Sequence, residues 1–383
     1  MFLTDWLLKS ETRAMNPVDF LNGLAAQARS EGLPVDYISF SLRHMHPEIA
    51  ADNLNWSGEK GAEIIFRKHV LVKSAGFMKS PVALVYHEGR GLRRRLNAPS
   101  DEDDYPILNE LFRSGHTDYL IEPLQLTPDL RSYISWSTKN MTGFSETDIS
   151  KLTSLTPLLS CVVAFMSHHR ALEALLEAYL GRQAGQHVLS GNYKRGDGSS
   201  VDAVIWFSDM RNFTTFTDKH SLEQTLQRLN RCFDVVGSAI HAQDGEILKF
   251  IGDAVLAIFP ITDSRDQFAA AKSAVAAADF ALNRLNEEAL PNEEPIKVGI
   301  GIHKGIVSFG NVGTKNRLDY TVIGTPVNEC SRVESLCKQL GEDVLLTDAV
   351  AKLLPEAKVR SLGEHQLRGL SSSRELFALA DKS

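Results

Sequence analysis

The sequence predicts a mixed α+β chain made of two folded units joined by a helical linker. Its 383 residues are enough for two or three domains. Near the middle, residues 190–200 concentrate Gly, Ser and charged side chains without apolar periodicity, which is typical of a boundary. Beyond that boundary, strand-like and helix-like runs follow the order β-α-β-β-α-β. We therefore assign residues 1–165 to a first unit, 166–200 to a helical linker and 201–383 to a second unit.

The composition is that of an ordinary globular protein. Hydrophobic residues make up 43% of the chain and charged residues 23%, which excludes disorder throughout. The formal net charge of −7 argues against a broad nucleic-acid-binding surface. The four cysteines form no CxxC pair and favour free thiols in a reducing compartment. The first residues do not resemble a secretory signal, and the longest apolar tract, 152–166, is short and contains Thr, Ser and Pro. We expect a cytoplasmic protein without a membrane span.

The first unit is predicted to be a sheet covered by helices from both of its ends. Helical patterns near 17–31 and 145–169 flank its strand-like middle. Arg90–Arg95 is expected at a solvated hairpin tip or at a contact with a partner. His44 and His46 suggest a metal or haem, but lone histidines are far more often surface groups, and we assign no cofactor to them. The strand-like runs are Tyr37–Leu42, Ala62–Lys68, Pro81–Tyr86 and Tyr133–Ser137.

The first unit resembles a GAF-type small-molecule sensor domain, most strongly in its closing segment. The resemblance lies in the strand-like Tyr133–Trp136, followed by Gly143-Phe144-Ser145 at the start of a helix. It implies a sensory or regulatory domain for an unidentified small molecule or protein regulator.

The linker is predicted to be helical from about 167 to 189. Its apolar residues fit two interpretations: a short parallel coiled coil that joins two copies of the chain, or an amphipathic helix packed on its own domain. Their spacing does not decide between the two interpretations. The second unit, described below, favours a contact between two copies of the chain. The apolar positions are Leu172, Leu175, Leu176, Tyr179 and Leu180.

The second unit is predicted as a ferredoxin-like core with additions. A compact apolar strand, 204–207, precedes a helix whose apolar residues from Leu222 to Ile240 alternate in spacing between four and three. The runs 246–251 and 254–259 join at Gly252-Asp253 and predict a tight hairpin. The remaining elements are a helix near 266–286, a strand pair at 296–303 and 306–312, a helix at 325–340, and short strands around 344–346, 358–362 and 375–379.

Two carboxylates at chain turns of this unit suggest a cation site. Asp209 follows the first strand and Asp253 lies at the hairpin tip, so the two converge if these strands are neighbours. Each alone is more simply interpreted as a helix cap or a turn residue. Together they suit Mg²⁺, which prefers oxygen ligands and shares its coordination shell with substrate phosphates. Backbone N–H groups around Phe213 and Thr214, at the next helix start, can hold a polyphosphate.

Three motifs resemble those of class III nucleotidyl cyclases and occur in the family's order and spacing. They are Phe207–Thr214 (FSDMRNFT), Lys249–Ala254 (KFIGDA) and Tyr320–Arg332 (YTVIGTPVNECSR). The similarity extends from Ala203 to Leu379. It implies a cyclase catalytic domain in which Asp209 and Asp253 bind two Mg²⁺ or Mn²⁺ ions per active site.

The resemblance also implies roles for five further residues. Lys249 and Thr321 occupy the positions that read the purine. Asn328 and Arg332 stand where the family stabilises the transition state. Arg368 falls where a phosphate-binding Lys is usual, and its planar guanidinium differs from the point charge of Lys.

Asn212 departs from the family pattern, in which Gly is usual. Asn tolerates a left-handed backbone better than most residues do, so we expect little loss there.

Hydrogen-bond polarity favours ATP as the substrate. Lys249 can only donate, which suits N1 of adenine, whereas the Thr321 hydroxyl can accept from N6 but can also donate. In the family, Lys with Asp or Thr is typical of adenylate cyclases, and guanylate cyclases usually have Glu at the Lys position. We expect an adenylate cyclase that forms 3′,5′-cyclic AMP and pyrophosphate. The alternatives are a guanylate cyclase and a catalytically silent nucleotide-binding regulator.

The family's active site also implies a homodimer. Its metal-binding aspartates come from one subunit, and its purine-reading, Asn and Arg residues come from the other. Because this chain has one such domain carrying both sets, we expect two composite sites in a two-fold dimer formed through the catalytic domain and the linker helix. The first unit would then set how the two catalytic domains face each other.

Overall fold

The computed structural model divides the chain into two compact units, Met1–Ala178 and Tyr179–Ser383. The division lies inside the predicted linker. His44 and His46 lie outside the described residues. The structure describes residues 2–43, 49–68, 74–98, 104–192, 194–196, 198–288, 294–369 and 372–380.

The strands described in the first unit form one antiparallel sheet in the order β3-β2-β1-β6-β5-β4. The elements are α1 (Leu3–Leu8), α2 (Ser10–Arg13), α3 (Pro17–Ser30), β1 (Tyr37–Arg43), β2 (Ile49–Ser57), β3 (Gly61–Lys68), α4 (Ala75–Met78), α5 (Pro81–Glu88), β4 (Leu92–Arg95), α6 (Pro106–Arg113), β5 (Asp118–Thr127), β6 (Leu130–Thr138) and α7 (Glu146–Leu180), which runs past the division.

One face of this sheet carries the main apolar core of the first unit. Ile38, Phe40 and Leu42 alternate along β1, are fully buried, and belong to one cluster with Phe20 of α3 and Leu152 of α7. Successive side chains of a strand point to opposite faces, so the residues between them line the other face. The sheet therefore has its main apolar face under α3 and α7. Its other face carries polar residues such as Ser39 beside a second, smaller apolar cluster that includes Ile121 and Tyr133.

Helix α7 is long and apolar enough to cross a membrane by length and composition alone. Its apolar residues Leu152, Leu159 and Val163 are buried in the core of the first unit. A core helix of a folded domain passes the same test of length and composition. A glycine with positive φ, Gly181 (φ 86°), then ends the continuous helix that the linker pattern predicted.

The prediction of a strand at Pro81–Tyr86 is wrong, because this segment forms helix α5. Ser80 accepts a hydrogen bond from the backbone N–H of Ala83 at 3.4 Å, and Pro81 occupies the first turn, where its missing N–H costs nothing.

Arg90–Arg95 is only in part the solvated tip that the sequence predicts, because Arg90 is largely exposed but Leu92–Arg95 form strand β4. Arg93 and Arg95 of β4 lie 3.1 and 3.4 Å from a carboxylate oxygen of Asp118, which is fully buried on β5. The same oxygen accepts a hydrogen bond from the backbone N–H of Phe144 at 3.0 Å. These contacts anchor the segment that leads into α7.

The second unit contains an eight-stranded sheet in the order β13-β14-β12-β10-β7-β9-β8, with β11 paired to β10. The elements are α8 (Arg182–Leu189), β7 (Gly198–Met210), α9 (Phe213–Thr217), α10 (Leu222–Ala242), β8 (Glu246–Ile251), β9 (Ala254–Pro260), α11 (Gln267–Glu287), β10 (Val298–Gly313), β11 (Leu318–Ile323), α12 (Thr325–Ser335), α13 (Cys337–Leu340), β12 (Val344–Thr347), α14 (Asp348–Ala351), a 3₁₀ turn (Glu356–Lys358), β13 (Val359–His365) and β14 (Arg374–Leu379).

The antiparallel order β10-β7-β9-β8, with α10 and α11 packed on one face, is the ferredoxin-like core that the sequence predicts. The mixed α+β fold class is confirmed. Val236 of α10, Ala274 of α11 and Trp206 of β7 are fully buried in the same cluster.

The predicted strand pair at 296–303 and 306–312 is instead one continuous strand, β10. It pairs with β7 without interruption from Val298 opposite Met210 to Gly310 opposite Gly198. Because both halves keep one register with one partner, no turn separates them. The strand β11, which the sequence analysis did not assign, pairs with the far end of β10.

Candidate active site

Asp209 and Asp253, the predicted metal ligands, lie side by side. Antiparallel pairing of β7 with β9 places Ser208 opposite Val255, so the end of β7 lies next to the β8–β9 turn. Gly252 makes that turn with a left-handed backbone (φ 64°). Burial, the negative charge of Asp253 and a hydrogen bond shared with Asp253 raise the pKa of Asp209 to about 6.

This pair fits a divalent cation. Two adjacent carboxylates repel each other when both are ionised, and they lose that repulsion when they share a proton or a cation. Their donor atoms are all oxygens, which Mg²⁺ and Mn²⁺ prefer. Within the described part of the chain, no cluster of three or more His, Cys, Asp or Glu side chains is arranged to hold a metal.

The turn after Asp209 has the backbone that the sequence analysis expected. Asn212 is left-handed (φ 61°, ψ 22°) and precedes α9. Its side-chain oxygen accepts a hydrogen bond from Nζ of Lys338 at 3.3 Å. Phe213 packs partly against the core, and Thr214 is exposed in the first turn of α9.

Glu334 lies near the aspartate pair and was missed by the sequence analysis. Burial and the negative charges of Asp209 and Asp253 raise its pKa to about 7. Helix α12 reaches this position because it packs closely on β10: a Cβ at Gly301 would stand 2.6 Å from the carbonyl oxygen of Cys330. The Gly-x-Gly pattern in β10 was the available signal for this close approach.

Lys249 and Thr321, the predicted purine-reading residues, lie on β8 and β11. Nζ of Lys249 forms an ion pair with the carboxylate of Asp319, which joins the two strands. Thr321 follows Asp319 by two positions on β11, so both side chains lie on one face of that strand. Asp319 is a second residue that the sequence analysis missed.

Asn328 and Arg332 lie one turn apart on α12 and therefore share a face. The guanidinium of Arg332 lies next to Gly369, since a Cβ added to Gly369 would stand 3.5 Å from it. Arg332 is therefore close to Arg368, which precedes Gly369 in the loop after β13. Arg332 and Glu334 are two residues apart, about 200° around the helix, and so lie on opposite sides of it.

The predicted site residues thus form two groups in one chain. Asp209 and Asp253 make up the first, and the second lies around β11 and α12. Among the described residues, no hydrogen bond or ion pair connects the two groups.

Comparisons with known proteins agree with this architecture. Residues 198–380 match the family model of the adenylate and guanylate cyclase catalytic domain. The chain is similar to adenylate cyclase 1 of Rhizobium meliloti, with 34% identity over 180 residues, covering 46% of this chain and 27% of that protein. It is also similar to the adenylate cyclase of Anabaena cylindrica, with 36% identity over 171 residues, covering 43% of this chain and 33% of that protein. The chain spans a third or less of either relative.

The fold is similar to that of a solved bacterial light-regulated adenylyl cyclase. The TM-score is 0.51 at 21% identity, covering 65% of this chain and 82% of that one. Members of the family bind nucleotides, dimerise through this domain and generally use divalent metal ions. From its strand order, its paired aspartates and the match over residues 198–380, the second unit of this chain belongs to the class III nucleotidyl cyclase family.

Proposed function

We propose that the protein is an adenylate cyclase that converts ATP into 3′,5′-cyclic AMP and pyrophosphate, in a two-fold homodimer regulated by the first unit. The observation that carries the proposal is the convergence of Asp209 and Asp253 at one end of β7 in a domain of this family. Similarity to two bacterial adenylate cyclases over the same region supports ATP as the substrate. A location in the cytoplasm remains part of the proposal.

Asp209 and Asp253 would hold two Mg²⁺ or Mn²⁺ ions. When bound, the two ions would acidify the ribose 3′-hydroxyl and neutralise charge on the α-phosphate and the leaving pyrophosphate. For this role both carboxylates must be ionised, because a protonated carboxyl is a poor ligand.

The second group of residues would bind and orient the nucleotide. The Lys249 ammonium donates to N1 of adenine, and the Thr321 hydroxyl accepts from the N6 amino group. Asn328 and Arg332 contact the reacting phosphate from one face of α12, and the fixed positive charge of Arg332 stabilises negative charge on its equatorial oxygens. Arg368, close to Arg332, binds a phosphate oxygen.

The start of α9 would contribute to the same phosphate site. Backbone N–H groups of Phe213 and Thr214 follow directly after the turn that carries Asp209, and they can donate to the polyphosphate.

Exposed apolar side chains support a dimer of the second unit. Phe250 and Ile251 follow Lys249 at the end of β8 and are about half exposed, at 49% and 47%. Ile306 of β10 and Ile323 at the end of β11 are exposed as well. Exposed apolar side chains near predicted site residues are typical of a surface that a partner covers. A two-fold partner that covers them would bring the aspartates of one chain toward the nucleotide-reading group of the other.

The test is nucleotide turnover by the purified full chain. We expect cyclic AMP from ATP with Mg²⁺ or Mn²⁺, with kcat/KM at least tenfold higher for ATP than for GTP. Faster formation of cyclic GMP would identify a guanylate cyclase, and release of neither cyclic nucleotide nor pyrophosphate would identify a silent regulator.

A pair of charge-reversal variants tests the assignment of the base. Lys249→Glu replaces a donor by an acceptor and should abolish the preference for ATP over GTP. Lys272→Glu makes the same substitution at an exposed position on α11 and should leave the preference unchanged. If both variants and the parent chain show the same ratio of ATP turnover to GTP turnover, Lys249 does not contact the purine.

A further inference from the structure

We propose that the first unit binds a small aromatic anion in a cavity over the face of its sheet that lies opposite the main apolar core. The cavity has a volume of about 580 Å³, which lies within the usual size of small-molecule sites. Residues of the sheet form one wall of the cavity, and residues of α4 and α5 contribute to the opposite wall. The proposal does not depend on the reaction of the second unit.

The sheet wall of the cavity is polar although it is covered. Ser39 of β1 is buried, and Asn55 lies opposite it on β2. Asn53, two positions from Asn55 on β2, lines the cavity as well. A few polar groups placed in a pocket fix the orientation of a polar ligand, so a wall of this kind indicates one.

Two arginines define where the negative charge of the ligand would lie. Pairing of β1, β2 and β3 places Arg43, Ala51 and Arg67 in one row across three neighbouring strands. All three residues line the cavity, and the small side chain of Ala51 leaves a gap between the two guanidinium groups. No ion pair of the described residues engages either arginine. Glu110 is the one carboxylate among the described lining residues, so the lining carries a net positive charge.

Aromatic side chains line the cavity beside this row. The guanidinium of Arg43 lies 4.9 Å from the ring centroid of Tyr86. The Tyr86 ring centroid is in turn 5.8 Å from that of Phe77 and 6.3 Å from that of Tyr133. These rings offer a surface against which a flat ligand can stack. A carboxylate or a phosphate on an aromatic ring satisfies both features, with its oxygens on Arg43 and Arg67 and its ring against the tyrosines.

Isothermal titration calorimetry on the full chain tests the proposal without measuring catalysis. The probes are 4-hydroxyphenylacetate and phenyl phosphate, with 4-hydroxyphenylacetamide and phenol as their neutral counterparts. We expect saturable one-to-one binding of at least one anion, at least tenfold tighter than its neutral counterpart. The anion that binds more tightly distinguishes a carboxylate ligand from a phosphate ligand. Binding of neither anion more tightly than its counterpart would overturn the proposal.

Three variants test the location of the site. Arg43→Gln and Arg67→Gln should each weaken binding of the anion at least tenfold, whereas Arg90→Gln, at a largely exposed arginine paired with Glu88, should not. Equal weakening by all three variants would contradict the proposal.

A fourth variant covers the case in which an arginine variant fails to fold, as judged by circular dichroism. Ala51→Leu keeps both charges but fills the gap between them, and it should abolish binding. Unchanged binding in this variant would place the ligand elsewhere.

Discussion

At Asp209, a proton and the proposed cation would compete for the same oxygens. The raised pKa of this carboxyl, about 6, comes from burial and from Asp253. Above this pKa Asp209 is ionised and the pair would attract a cation, and below it Asp209 carries a proton.

This competition predicts a pH-dependent metal requirement. The Mg²⁺ concentration that gives half-maximal formation of cyclic AMP should be nearly constant from pH 8 to 7 and should rise severalfold at pH 5.5, because each cation must displace a proton. Asp253→Asn removes a ligand, and no Mg²⁺ concentration should restore its rate to within roughly 100-fold of the parent. A half-saturating Mg²⁺ concentration that does not change between pH 8 and pH 5.5 would contradict this account.

A buried acid on β8 predicts a second pH effect, this time on stability. Burial raises the pKa of Glu246 to about 7, and the nearby backbone N–H of Gln183 offsets part of the increase. The folded state therefore holds a proton that the unfolded state, with an ordinary pKa of 4.5, has released. Stability conferred by this proton is present below pH 4.5 and is lost as the pH rises through 7.

The variant Glu246→Gln should remove this pH dependence. At pH 8 it should unfold in urea with a free energy about 1 to 2 kcal/mol higher than that of the parent chain, and at pH 4.5 the two should be equal. Glu223→Gln, an exposed position on α10, is the matched control and should show no such difference. A gain in stability that is the same at both pH values would show that the charge of Glu246 is not the cause.

At the scale of whole elements, the turn between β7 and α9 depends on a left-handed residue. Asn212 adopts φ 61°, a conformation that costs most side chains about 1 to 2 kcal/mol and costs glycine nothing. Asn212→Gly should leave stability within about 0.5 kcal/mol of the parent, and Asn212→Val should lower it by about 1 to 2 kcal/mol. Urea unfolding measures both, and equal stability of the two variants would mean that the turn can change its backbone freely.

In a homodimer of the whole chain, the separation of the two site groups predicts which mixtures of variant chains are active. Asp209→Ala should inactivate the metal pair, and Arg332→Ala should inactivate the opposite group. A mixture of the two variant chains should recover up to about a quarter of the parent activity, because half of the random dimers contain one intact composite site. A mixture of Asp209→Ala with Asp253→Ala is the control and should recover none, since both changes affect the same group. Equal activity in both mixtures would show that each site is built from one chain.

The local structure of the chain around its site residues could be predicted from the sequence. Periodicity, caps and turn residues within a few positions predict the end of β8, the start of β9 and the helix of 21 residues that begins at Leu222. Asp209 and Asp253 were also found in this way, because each sits where a strand ends. The left-handed turn at Asn212 was expected from the family resemblance, in which Gly is usual at this position.

What required the folded chain was everything that depends on pairing between distant segments. Only strand register shows that 298–313 is one strand. Asp118 is buried beneath two arginines of β4, and Glu334 lies close to the two aspartates of the site. In both cases the residues that meet are 23 or more positions apart in the sequence. Motifs and periodicity in the sequence determined which residues carry the chemistry. Tertiary structure alone decided which of them meet, because sheet register and burial are set by the whole chain at once.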